Sequence, residues 1–162
     1  MRIGRLDKWL VAKKHPSTWI HAARTAVAGV VSYLIARLFS LPEAYWAAIS
    51  TLIVMQSTLG AALPISVQRF AGTALGCAVG ALAATYYPGN PWAFGGALFL
   101  IGMLCAALRV ERAAYRYASI ALAIVLLLPR VTGVWIIALH RFFEVSLGIA
   151  VGLALTAVWP ER

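Results

Sequence analysis

Apolar residues fill most of the chain in long blocks, each closed by a short polar, glycine or proline interruption. Six blocks stand out, over about 18–39, 42–59, 63–87, 92–108, 113–128 and 133–159. Pro16 precedes the first and Pro42 opens the second. The run from Tyr87 through Pro88, Gly89 and Asn90 to Pro91 breaks the third from the fourth, and Pro129 ends the fifth. A helix crosses the hydrocarbon core with roughly 20 mostly apolar residues, so six such helices would use roughly 120. The pattern predicts an all-α integral membrane protein with six transmembrane helices over 17–162. A short arm over 1–16 precedes them.

Composition sharpens this reading. Of 162 residues, 62% are hydrophobic and 12% charged, against roughly half and a quarter in a soluble domain. A soluble chain this short has too much surface for its volume to hide that apolar content. The net charge of +9 would point to nucleic acid in a soluble protein. In a membrane chain it reads instead as topology, and no nucleic-acid partner is expected. Arg2, Arg5, Lys8, Lys13 and Lys14 face one acid, Asp7, in the arm. No small-residue cleavage site follows, so the arm is expected to be retained, lying on anionic headgroups through Ile3, Trp9 and Leu10. Arg109, Arg112 and Arg116 join the arm on one side of the membrane, while the opposite loops carry Arg37 and Arg130. That bias places both termini in the cytoplasm, in a bacterial inner membrane. Aromatic residues gather near the predicted helix ends, among them Trp19, Tyr45, Trp46, Tyr87, Trp92, Tyr117, Trp135 and Trp159. They are expected to form an interfacial belt. Cys77 and Cys105 lack metal-ligand spacing and are read as small apolar packing residues. No metal or cofactor site is expected.

An internal repeat is the most informative feature. A shift of 72 residues carries Arg69-Phe70 onto Arg141-Phe142, Leu75-Gly76 onto Leu147-Gly148, and Gly80 onto Gly152. The same shift carries Arg37 onto Arg109 and Tyr45 onto Tyr117. The first three helices, over about 17–88, map onto the last three, over about 89–160. Three spans per repeat insert the halves with opposite orientation, which predicts two inverted three-helix repeats around a midplane site. Chance similarity between Gly- and Ala-rich helices is the bland alternative, and the matched arginines weigh against it.

Few residues carry chemistry. Gly72, Gly76 and Gly80 share one face of the third helix, as Gly148 and Gly152 share one of the sixth. Small residues at this spacing let helices approach closely in lipid. The third and sixth helices are therefore expected to pack through these faces, against each other or a neighbouring subunit. Arg69, Arg141 and Arg24 lie about two turns inside their helices. Buried charge is costly in a bilayer and is usually kept for function. Arginine stays protonated and its planar fork suits a carboxylate, so these three are candidate substrate-binding residues for an organic anion. The bland alternative has them reach headgroups or helix-end carbonyls. Glu144 and His140 share a face with Arg141. Glu144 is either an ion-pair partner of arginine or, with His140, a proton-coupling group. Ser50, Thr51, Gln56 and Ser57 either line a cavity or bond neighbouring helices. No phosphate loop, metal cluster or nucleophile elbow appears, so no enzyme is expected.

The run 45–56 (YWAAISTLIVMQ), followed by 69–76 (RFAGTALG), resembles the fusaric acid resistance protein-like family, also called the aromatic acid exporters. The segment 141–148 (RFFEVSLG) resembles the closing motif of that family. The resemblance spans about 19–159. It implies an inner-membrane six-helix unit that exports aromatic or other organic acids, driven by protons. Many exporters of this family carry two such units and a cytoplasmic domain, so a single unit is expected to act as a homo-oligomer. The leading expectation is a proton-coupled exporter of organic carboxylates. A passive anion channel would keep the arginines without needing a titrating Glu144. A non-transporting membrane scaffold would use both as structure.

Overall fold

The computed structural model describes residues 19–55, 59–109, 111–128 and 133–159. The arm over 1–16, together with Gln56, Ser57, Pro129 and Arg130, lies outside the described residues. The described residues form six helices and no strand: α1 (Trp19–Leu38), α2 (Tyr45–Val54), α3 (Leu59–Tyr86), α4 (Pro91–Ala107), α5 (Arg112–Leu127) and α6 (Val134–Val158). By length and composition α1, α3 and α6 can each cross a bilayer, whereas α2 and α4 are shorter apolar helices.

Local chemistry explains the ends. Asn90 caps α4, its side-chain oxygen accepting from the N–H groups of Trp92 and Ala93, with Pro91 at the first helical position. Gly89 before it sits at φ 66°, and its N–H donates to the carbonyl of Leu126 at the far end of α5. Two residues beyond the ends of α1 and α4, Ser40 and Arg109 take left-handed φ values of 55° and 52°. Ser40 donates its N–H to the Arg37 carbonyl and Leu41 to that of Ala36, which closes the last turn of α1.

The second helix departs most from expectation. It ends at Val54 rather than near 59, with Met55 already extended. Ten residues rise about 15 Å, half of the roughly 30 Å hydrocarbon core. The third helix takes up the difference, starting at Leu59 so that Pro64 lies inside it rather than at its start.

Packing is built on small side chains. The interior faces carry Ala28 and Ala36 of α1, Ala47 of α2, Ala62, Ala81 and Ala84 of α3, Ala118 and Ala121 of α5, and Ala138 of α6. Contacts between them fix the helix directions. A Cβ on Gly72 would meet the carbonyl of Ala114, and one on Gly76 that of Ala118. Those pairs advance together, so α3 and α5 run parallel. One on Gly148 would meet the carbonyl of Ala47, and Gly152 faces Thr51 and Val54, so α6 and α2 also run parallel. Phe70 meets Phe142 in a tilted ring contact with centroids 5.0 Å apart, and Cys77 packs with Ala138, so α3 and α6 run antiparallel. The glycine faces of α3 and α6, expected to meet each other or a neighbouring subunit, are thus turned to α5 and α2.

Candidate functional site

The crossing of α3 and α6 collects the charged side chains. Arg69 on α3 and Arg141 on α6 are 4% and 3% exposed, and Glu144 is 1% exposed. All three lie in the N-terminal halves of their helices, and Arg69 and Arg141 are within electrostatic reach of one another.

Each arginine lies against an aromatic ring from a neighbouring helix. The Arg69 guanidinium sits 4.9 Å from the centroid of Tyr117 on α5. That of Arg141 sits 3.4 Å from the centroid of Trp46 on α2. Such stacking draws the cation to the negative face of the ring and is strongest where water is excluded. Trp46 and Tyr117, placed in the interfacial belt by sequence, are half-buried partners of cations instead. Trp19 and Trp92, at the starts of α1 and α4, are 80% and 87% exposed.

The rest of the environment differs between the two arginines. Arg69 Nη2 donates to Ser50 Oγ at 3.0 Å, and Ser50 in turn donates to the carbonyl of Trp46. Arg141 has no such bond: its Nε and Nη1 are buried without a hydrogen-bond partner, whereas on Arg69 only Nε is. Glu144 does not pair with it. Glu144 Oε1 instead accepts the N–H of Glu43 at 2.9 Å, at the start of α2, where a helix N-terminus favours negative charge. Glu43 Oε2 accepts the indole N–H of Trp46 at 2.9 Å. The ring beneath Arg141 is therefore held by one carboxylate while the other ties α6 to α2.

His140 is half-buried and forms no hydrogen bond or ion pair with Glu144. Arg24 is fully buried elsewhere. Its Nη1 donates to the carbonyl of Trp159 at 2.7 Å, and His21 Nδ1 lies 3.4 Å from its Nη2. Trp159 is 18 residues from Arg141, about 27 Å along α6. The structure thus brings Arg69, Arg141 and Glu144 together and places Arg24 at the other end of the bundle. Thr51 closes the interface by donating to the Gly148 carbonyl at 2.8 Å. Beside Arg69, Gln68 Nε2 donates to Glu111 Oε2, joining α3 to the start of α5.

Sequence reasoning missed Glu43, Trp46 and Tyr117 as members of this site. A signal for the last two exists. The glycine contacts make Ala47 the counterpart of Ala118 and Thr51 that of Leu122. This register is one residue shorter than the 72 that relates α3 to α6, and it places Trp46, not Tyr45, opposite Tyr117.

Comparison with known proteins gives a consistent picture. The model of the fusaric acid resistance protein-like family matches residues 17–155. The chain is 29% identical over 149 residues to the inner membrane protein YeeA of Escherichia coli (strain K12), a match covering 88% of this chain and 41% of YeeA. It is 30% identical over 158 residues to the uncharacterized transporter YdhK of the same strain, covering 23% of that protein. The Salmonella typhimurium YdhK is 28% identical and covered over 22% of its length. The chain therefore spans less than half the length of these relatives. No solved structure matches it significantly.

Proposed function

We propose a transport function from one premise: the chain belongs to the fusaric acid resistance protein-like family. It is a membrane protein, and two relatives are named as transporters. In our reading it lies in a bacterial inner membrane with both termini cytoplasmic, and moves organic carboxylates outward as a homo-oligomer. Its helices alternate in direction as two inverted halves, with α2 reaching only part of the way across. Support for the inverted arrangement comes from the antiparallel pair α3 and α6, each with a parallel partner, and from the matched stacks Arg69–Tyr117 and Arg141–Trp46.

The observation that carries the functional reading is Arg141. A guanidinium 3% exposed with two unpaired nitrogens, Nε and Nη1, holds unused donor capacity where water is scarce. A buried donor left unsatisfied costs about 1–3 kcal/mol, which a carboxylate ligand would recover. Glu144, bonded to the α2 start rather than to Arg141, is the group we assign to proton coupling. Protonation would remove the charge that holds α6 to the N-terminus of α2.

Flux of radiolabelled benzoate in liposomes, with and without a pH gradient, tests this directly. We expect gradient-dependent flux that falls at least tenfold in Arg141→Gln and loses its gradient dependence in Glu144→Gln. Flux equal in the wild type and Arg141→Gln would overturn the reading.

The stacking itself favours a second reading, in which the arginines are braces between helices of a scaffold. In that case Trp46→Leu and Arg141→Gln lower thermal stability equally in detergent, and no organic acid moves. Under the transport reading, Arg141→Gln keeps a folded protein that has lost flux.

A further inference from the structure

The hairpin of α4 and α5 carries cations that no acid answers. Arg109, Arg112 and Arg116 are exposed, and among the described residues none of the three makes a side-chain hydrogen bond or ion pair. The acid beside them, Glu111, is engaged elsewhere: its Oε2 accepts from Gln68 Nε2 of α3, and its side chain makes no cap bond to α5. The first turn of α5 holds no acidic residue. Its unpaired N–H groups and Arg112, the first residue of the helix, therefore add their positive potentials at one end.

Arg112 itself lines a groove between α4 and α5. It stands at the loop end with Tyr115, and Leu98, Phe99, Met103 and Ala106 form the α4 side. The volume is about 490 Å³, within the ~300–1,000 Å³ usual for ligand sites. Leu98 and Ala106 are 8 residues apart, which is about 12 Å along the helix. One leaflet of a bilayer has a hydrocarbon depth of about 15 Å, half of the core. At Gly102 the groove has no side chain, and the Tyr115 ring lies 3.5 Å from where a Cβ would be. Phe99 and Met103 are 72% and 56% exposed, so the groove opens on the outer surface of the bundle.

A second groove beside α4 lacks the cation. It lies at the other end of that helix, against α3, with a volume of about 540 Å³. Tyr86, Tyr87, Asn90 and Trp92 line it among apolar residues, and no charged side chain does. We infer that the α4–α5 groove binds one anionic phospholipid from the bilayer, its phosphate on Arg112 and one acyl chain along Leu98 to Ala106. Length and charge together commit the occupant. A soluble anion would answer the guanidinium and leave the apolar slot empty. A zwitterionic lipid would fill the slot but bring its own cation to the arginines of the hairpin. Basic pockets between membrane helices suit anionic headgroups for this reason. In the orientation proposed above, the headgroup lies in the cytoplasmic leaflet, whose surface is negative. The inference needs the membrane setting and not the transport reading.

Native mass spectrometry of the full chain tests the site. Phosphatidylglycerol and phosphatidylcholine with identical acyl chains are titrated into the protein in detergent. We expect one phosphatidylglycerol per chain, bound at least tenfold more tightly than phosphatidylcholine. Arg112→Gln should weaken it at least tenfold, and Arg112→Lys should stay within about threefold of the wild type. Arg116→Gln removes a cation outside the groove and should cost less than about threefold. Ala106→Leu fills the slot at an exposed position. It should weaken phosphatidylglycerol at least tenfold while leaving the unfolding midpoint in lipid-free detergent unchanged. Equal affinity for the two lipids, equal losses in Arg112→Gln and Arg116→Gln, or unchanged binding in Ala106→Leu would overturn the inference. Glycerol 3-phosphate displacing the lipid at equal concentration would overturn it too, by showing a site for soluble anions. Selective binding lost in both Arg112→Gln and Ala106→Leu establishes the lipid site, whether or not benzoate moves in the liposome assay.

Discussion

Glycines set the closest approaches in this bundle. A Cβ on Gly76 would fall on the carbonyl of Ala118, and one on Gly148 on that of Ala47. Both obstacles are backbone, which cannot swing aside as a side chain end does. Gly76→Ala and Gly148→Ala should each force two helices apart and cost about 1–3 kcal/mol, the usual range for overpacking. Gly95, with nothing within 4 Å of its Cβ position, is the control. Gly95→Ala should leave stability unchanged or raise it by up to about 1 kcal/mol through helix propensity. Thermal unfolding in detergent separates the two outcomes, and equal effects at the three positions would contradict the contacts. At this scale the sequence was legible in kind but not in partner. Spacing of four marks Gly72, Gly76 and Gly80 as an interface without saying which helix fills it. Likewise Arg69 and Arg141 stand out because charge in an apolar block is expensive. Glu43 does not, because it sits in a loop beside Pro42, and only the fold carries it to Glu144.

At the scale of elements, proline and glycine were reliable where they close a turn and misleading where they do not. The Pro88–Pro91 break was readable because each residue has one task there. Gly89 takes a φ of 66°, Asn90 caps α4, and Pro91 begins it. Asn90→Ala should cost about 1 kcal/mol by leaving the N–H groups of Trp92 and Ala93 without their acceptor. Gly89→Ala should cost about 1–2 kcal/mol for placing a Cβ in the left-handed region. If the two changes do not lower the unfolding midpoint, separately and roughly additively, the turn is not held as described. The end of α2 carried no such mark. Residues 51–55 are Thr, Leu, Ile, Val and Met, which any apolar helix could continue. The third helix starts at Leu59, four residues before the expected Leu63, and so takes Pro64 inside it. A proline one turn further in loses only one backbone bond near a helix end, and the longer helix tolerates it.

For the whole molecule, the decisive question is whether direction alternates from helix to helix. Parallel α3 with α5, parallel α2 with α6, and antiparallel α3 with α6 are consistent with strict alternation from α1 to α6. Alternation over six helices returns the chain to the side where it started. Arg24 adds an independent constraint: it joins the first turns of α1 to the carbonyl of Trp159 beyond the end of α6. One contact thus places the start of α1 and the end of α6 at the same level. Reporter fusions at each terminus, one active only in the cytoplasm and one only outside it, read the outcome. Both termini should report the cytoplasm, since Arg109, Arg112 and Arg116 lie near the loop on that side. Replacing all three by Gln should weaken that preference without reversing it, because Arg2, Arg5, Lys8, Lys13 and Lys14 before the first helix still favour the same side. Termini on opposite faces in the wild type would break the alternation, and with it the pairing of Arg69 and Arg141 as inverted counterparts.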